Sequence, residues 1–127
     1  MARLLFTSRN FSSLDSSVDN QAGNKLTNLI GKPVVFMNQS HSNLVSVVSD
    51  TATTPDADGL VTTNRDIALA VRVADCLPLL LISNESVSAV HVGRKGLLNQ
   101  VALNAVKKMK ELGSTQITGL VGPHICG

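Results

Sequence analysis

The densest apolar patterning lies between residues 67 and 92, where IALAVRV, LPLLLIS and VSAVHV follow one another with only ADC and NES between them. Apolar runs with so little alternation predict strands covered on both faces. Upstream, residues 19–31 predict a short helix closed by Gly31. Pro33 then opens an extended run, PVVFMN, and NLVSVV is a second strand, with QSHS as the connection. Residues 49–64 read as a polar loop punctuated by Pro55, Asp56 and Gly59. From Gly96 the period lengthens: Leu98, Val101, Ala102, Ala105, Met109 and Leu112 recur at helical spacing, and Gly113 is a natural C-terminal cap. QITGLVG predicts a last strand before the chain reaches PHICG. Strands and helices mixed in this way predict an α+β fold, a mixed sheet with helices packed on it.

Composition narrows the choices. The 127 residues suffice for one hydrophobic core, so residues 1–127 form a single domain. With 43% hydrophobic and 16% charged residues the chain is globular rather than disordered. The net charge is +2, and the one basic cluster, Lys107, Lys108 and Lys110, falls on the predicted helix as a solvated face. Phe6, Phe11 and Phe36 are the only aromatic residues, too few for a base-stacking platform, and no nucleic acid partner is expected. No apolar run approaches the roughly twenty residues of a membrane span. The opening MARLLFTSRN is too short for a signal-peptide core, and the two cysteines, Cys76 and Cys126, read as free thiols of a cytoplasmic protein.

Three residues stand out against this background. Cys76 opens one apolar run, His91 closes the next, and His41 falls on a turn or strand end. Taken singly, a buried thiol and a satisfied imidazole are the ordinary readings. Taken together, two histidines and a cysteine at three strand ends suit a zinc site that leaves a fourth position open. Convergence would bring their ligand atoms within about 4 Å of one another. Their separations of 35 and 15 residues match no local zinc-finger pattern. After His91, Gly93, Arg94, Lys95 and Gly96 form a small basic strand-to-helix turn able to face an anion.

The segments ADCLPLLL, AVHVGRKGL and GPHICG, in that order, resemble the YfiH-type proteins, labelled laccase-domain or multicopper polyphenol oxidases and more recently regarded as purine nucleoside phosphorylases. FTSRN and MNQSHSNLV are similar to that family's opening T-x-R and QVHG segments. The resemblance implies a YfiH-like layered fold, of which this chain covers about the N-terminal half and is truncated at its C-terminal side. It implies His41, Cys76 and His91 as metal ligands and catalytic residues, with zinc the expected ion and copper less so. It further implies phosphorolysis of adenosine, inosine and methylthioadenosine, with adenosine deamination at the same site.

Arg9 and Lys95 match basic positions of the family and are the candidates for binding substrate phosphate. HVGRKG departs from the family's HAGWRG, losing a flat apolar wall at Arg94 and a bidentate donor at Lys95. Two alternatives stay open: a metal-free Cys76–His91 hydrolase of the same fold class, and an inactive truncated domain that binds a nucleoside or a partner. A multicopper oxidase would need more ligands than three histidines and two cysteines supply. The truncated edge also offers a route to self-association.

Overall fold

The computed structural model describes residues 2–7 and 21–124. In chain order the elements are α1 (Gln21–Ile30), β1 (Val34–Val35), β2 (Val45–Val47), β3 (Gly59–Thr62), β4 (Ala68–Leu69), β5 (Leu77–Ile82), β6 (Val87–Val92), α2 (Arg94–Leu98), α3 (Val101–Glu111) and β7 (Thr118–Val121). A five-stranded sheet runs in the order β2-β3-β6-β5-β7, and β1 and β4 form a small parallel sheet of their own. Within the larger sheet β2 and β3 are parallel and the remaining pairs antiparallel, so the sheet is mixed, as expected.

The core has two parts because the central strands are covered on both faces. Successive side chains of a strand point to opposite sides, and β3 shows this directly. Val61 joins Leu81, Val90, Val92 and the buried α3 residues Val101, Ala105 and Met109, whereas its neighbour Leu60 packs with Val35, Met37, Val48 and Ile67 under the small sheet. The buried stripe of α3 lies on the helical repeat read from the sequence. The helix stops at Gly113, whose φ of +98° is the left-handed conformation that closes such ends. Gly31, with φ of +77°, ends α1 in the same way.

Three expectations are corrected. Residues 49–64 are not all loop: Gly59–Thr62 is a fully buried strand between β2 and β6. Only Leu60 and Val61 are apolar there, and the Asp and Thr residues around them mask the signal. Thr62 is nonetheless β-branched, and its hydroxyl donates to the Val48 carbonyl at 2.6 Å, which makes its burial tolerable. The run at 67–73 contains only a two-residue strand, after which the chain leaves the ladder. The helix expected from Gly96 onward is two helices, broken at Gln100, whose φ of 63° is left-handed. Leu98 therefore falls outside the buried stripe and is 76% exposed.

Candidate metal centre

The sheet's register assembles most of the site. Pro78 on β5 pairs with His91 on β6, and Gly59 on β3 pairs with Val90. Continuing each ladder by one residue sets Cys76 opposite Gly93, just past Leu77↔Val92, and Asp58 opposite His91. The His91 N–H donates to the Asp58 carbonyl at 2.7 Å, extending the β3–β6 ladder. Alternation then points Cys76 and His91 to the face that carries the small sheet, at one end of β5 and β6. His41 comes to the same end from the loop that feeds β2.

The ligand atoms of His41, Cys76 and His91 all lie within 4.8 Å of one another. Cys76 Sγ is 3.9 Å from His41 Nε2, and the two imidazole rings meet edge-on with centroids 5.0 Å apart. The widest pair exceeds the expected spacing of about 4 Å. His91 is buried, Cys76 half-buried and His41 exposed, so the group opens toward solvent on the His41 side. Gly93 lines it from below: a Cβ there would stand 2.8 Å from His41 Cδ2 and 3.3 Å from Cys76 Sγ. A side chain at this position would have to displace the His41 ring and press on Cys76, whereas the backbone angles of Gly93 are open to any residue.

Asp58 organises the group, although its sequence context, a polar run, gave no sign of it. It is fully buried. One oxygen, Oδ2, accepts from His91 Nδ1 at 2.7 Å and from the His41 N–H at 3.0 Å. The other, Oδ1, accepts from the Ser40 N–H at 3.0 Å, the Ser42 N–H at 2.9 Å and the Ser42 hydroxyl at 2.8 Å. His41 has φ of 64°, a left-handed conformation costly to a residue with a Cβ, and these amide bonds hold it there. Burial pushes the Asp58 carboxyl up, but the hydrogen bonds from His91, from the Ser42 and Ser40 amides and from the Ser42 hydroxyl outweigh it and hold the group below its ordinary 3.8. An ionised carboxylate only accepts, so His91 carries a proton on Nδ1, and in the neutral ring Nε2 is the nitrogen available to a ligand. Two imidazole nitrogens and a thiol, with one ring fixed in this way, could hold a metal ion.

Lys95 is exposed on α2, two residues past Gly93. Arg9 and Cys126 lie outside the described residues.

Asp58→Asn keeps the shape but turns an amide donor toward groups that are themselves donors. The metal-free protein should lose about 3–5 kcal/mol in urea unfolding, and zinc affinity measured against a chromophoric chelator should fall about 10- to 100-fold. Because the native pKa of Asp58 is depressed, its contribution is fully present above 3.8 and is lost as pH falls through the lower native value. The stability gap between wild type and variant should therefore narrow on acidification. A variant that binds zinc as wild type does would show that the carboxylate does not orient the ligands.

Residues 14–127 match the family model described as multi-copper polyphenol oxidoreductase laccase. The chain is 41% identical over 115 residues to a purine nucleoside phosphorylase of Corynebacterium glutamicum, a match that covers 82% of this chain and 47% of that protein. Its fold is similar to a Neisseria meningitidis protein of the DUF152 family, with a TM-score of 0.74 at 30% identity, over 87% of this chain and 47% of the other. It is equally similar to the YfiH protein of Bacillus licheniformis, with a TM-score of 0.74 at 25% identity, over 89% of this chain and 51% of the other. The chain thus spans about half the length of the relatives it matches. With nine-tenths of its residues inside the family model, and the ADC and HVG segments supplying adjacent strand ends, the chain belongs to the multi-copper polyphenol oxidoreductase laccase family, the YfiH-type proteins.

Proposed function

We propose that this chain is the metal-ligating part of a zinc-dependent purine nucleoside phosphorylase. Adenosine, inosine or methylthioadenosine would react with phosphate to give the free base and a ribose 1-phosphate, and adenosine would also be deaminated. The observation that carries this reading is the convergence of His41, Cys76 and His91 within 4.8 Å in a chain whose relatives are named purine nucleoside phosphorylases. A thiol and two imidazoles suit a single zinc ion, and among the described residues they form one compact group, whereas a multicopper centre needs several.

A zinc ion, when bound, supplies a Lewis acid and a water of lowered pKa. The chain's own residues provide the rest. Asp58 fixes the His91 tautomer, Cys76 offers its sulfur as a ligand, and His41 closes the group from the solvent side. Phosphorolysis breaks the bond between C1′ and the base and forms one from C1′ to a phosphate oxygen, which calls for cations beside the phosphate. Lys95 and Arg9 are the proposed sources of that charge.

The hydrolase alternative is less well supported. Asp58 on His91 Nδ1 would orient a catalytic base as well as a ligand, but among the described residues the imidazole that meets Cys76 Sγ is that of His41, not His91, and at 3.9 Å it is at the outer limit of a hydrogen bond to sulfur. Among the described residues no helix is long and apolar enough to cross a membrane. The cytoplasm, where Cys76 stays reduced, is the proposed location.

Self-association through β7 is also proposed. Among the described residues this strand pairs only with β5, and Leu120 and Val121 are 43% and 46% exposed, which leaves an open edge there. Light scattering should show mass rising with protein concentration, and Leu120→Lys should return the chain to a monomer. A wild type that stays monomeric at high concentration would exclude this edge as a contact.

The activity test is incubation with adenosine, with and without phosphate, followed by separation of adenine, inosine and hypoxanthine. Adenine should form only when phosphate is present and inosine in either case. A zinc chelator should abolish both, and added zinc should restore them. Products that persist after chelation and in Cys76→Ser would overturn the metal reading, and no product under any condition would favour the inactive binding domain.

A further inference from the structure

Between the end of β4 and the start of β5 the chain carries Cys76 into place without a strand to hold it. The β1–β4 ladder runs from Ala68 N–H to the Pro33 carbonyl at 2.9 Å, then from Ala70 N–H to the Val35 carbonyl at 3.0 Å. By that spacing the next bond would join Arg72 N–H to the Met37 carbonyl. It is replaced by an exchange of side chains. Gln39 Oε1 accepts from Arg72 N–H at 2.9 Å while Gln39 Nε2 donates to the Arg72 carbonyl at 2.6 Å. The Met37 carbonyl accepts instead from Arg72 Nη2 at 3.0 Å, with the guanidinium lying 5.3 Å from the centroid of the Phe36 ring.

A single side-chain amide thus satisfies both backbone groups of one residue, as a neighbouring strand would. Among the described residues, no backbone-to-backbone hydrogen bond engages residues 71–76. Gln39 lies two residues before His41, and Arg72 four residues before Cys76. The clasp therefore joins the two loops that deliver those ligands, at the last point before each leaves regular pairing.

We infer that Gln39 is a positioning residue: its amide holds the Cys76 loop against the His41 loop and so sets the spacing between Cys76 Sγ and His41 Nε2. The consequence for metal binding rests on the zinc reading above, whereas the spacing itself does not. Gln39→Met keeps the length of the side chain and removes both bonds. Gln39→Glu keeps the acceptor for the Arg72 N–H and removes the donor. Lys32→Met is the matched control, because Lys32 Nζ donates to the Arg65 carbonyl at 2.6 Å and clasps the opposite end of the same two strands.

Two measurements on the folded proteins separate the outcomes. In metal-free protein, a nuclear Overhauser contact between the His41 ring and the Cys76 Cβ protons should be present in wild type and Lys32→Met and lost in Gln39→Met. In cobalt-substituted protein, the thiolate-to-cobalt charge-transfer band should keep its intensity in the control, and cobalt affinity should fall about 10- to 100-fold in Gln39→Met, less in Gln39→Glu. A purely structural role would lower the unfolding midpoint of Gln39→Met and leave both signals unchanged, which would overturn the inference. A wild type that binds no cobalt would overturn the metal reading alone, since the proton contact still reports whether Gln39 sets the spacing.

Discussion

The site depends on one buried carboxylate. Asp58 sits at the entry to β3, shielded from water, and collects five hydrogen bonds from two directions. Three come from successive amides of the loop that carries His41, and one from the imidazole of His91. Burying a lone carboxylate would be strongly unfavourable, and only this full set of donors offsets the desolvation. The same bonds do two further things. They hold His41 in a left-handed conformation it would not choose, and they engage His91 through Nδ1, so that Nε2 is the nitrogen left for other partners.

Around that anchor, each candidate ligand is delivered by a different kind of structure. His91 is fixed twice, by the β6 ladder and by Asp58. Cys76 is fixed on one side by the start of β5 and on the other by the Gln39–Arg72 clasp. His41 belongs to a loop with no strand pairing of its own and relies on Asp58 for its backbone shape. Gly93 completes the arrangement by leaving out a side chain where one would displace His41 and crowd Cys76. Burial falls in the same order, from His91 through Cys76 to His41.

Much of this was legible in the residues. The α3 stripe, the Gly31 and Gly113 caps and the strands at 77–82 and 87–92 follow from apolar period and turn chemistry, and the structure shows them. The three candidate ligands were visible as reactive types at strand ends, though their distant spacing needed the resemblance of ADC and HVG to join them. Asp58 was not legible, because an Asp in a run of Asp, Thr and Gly looks like a solvated loop, and only the burial of β3 turns it into a core residue. Gln39 was equally silent, since a side chain that replaces a backbone hydrogen bond leaves no periodic trace. The break at Gln100 was missed because the apolar repeat runs through it without interruption.

The central claim of the functional reading is that Cys76 is a metal ligand, and its reactivity tests that most directly. In protein shown to contain one zinc per chain, alkylation of Cys76 should be slow, with Cys126 as the reference thiol, and should accelerate when a chelator removes the metal. Rapid alkylation of Cys76 in the zinc-containing protein, unchanged by chelation, would contradict it.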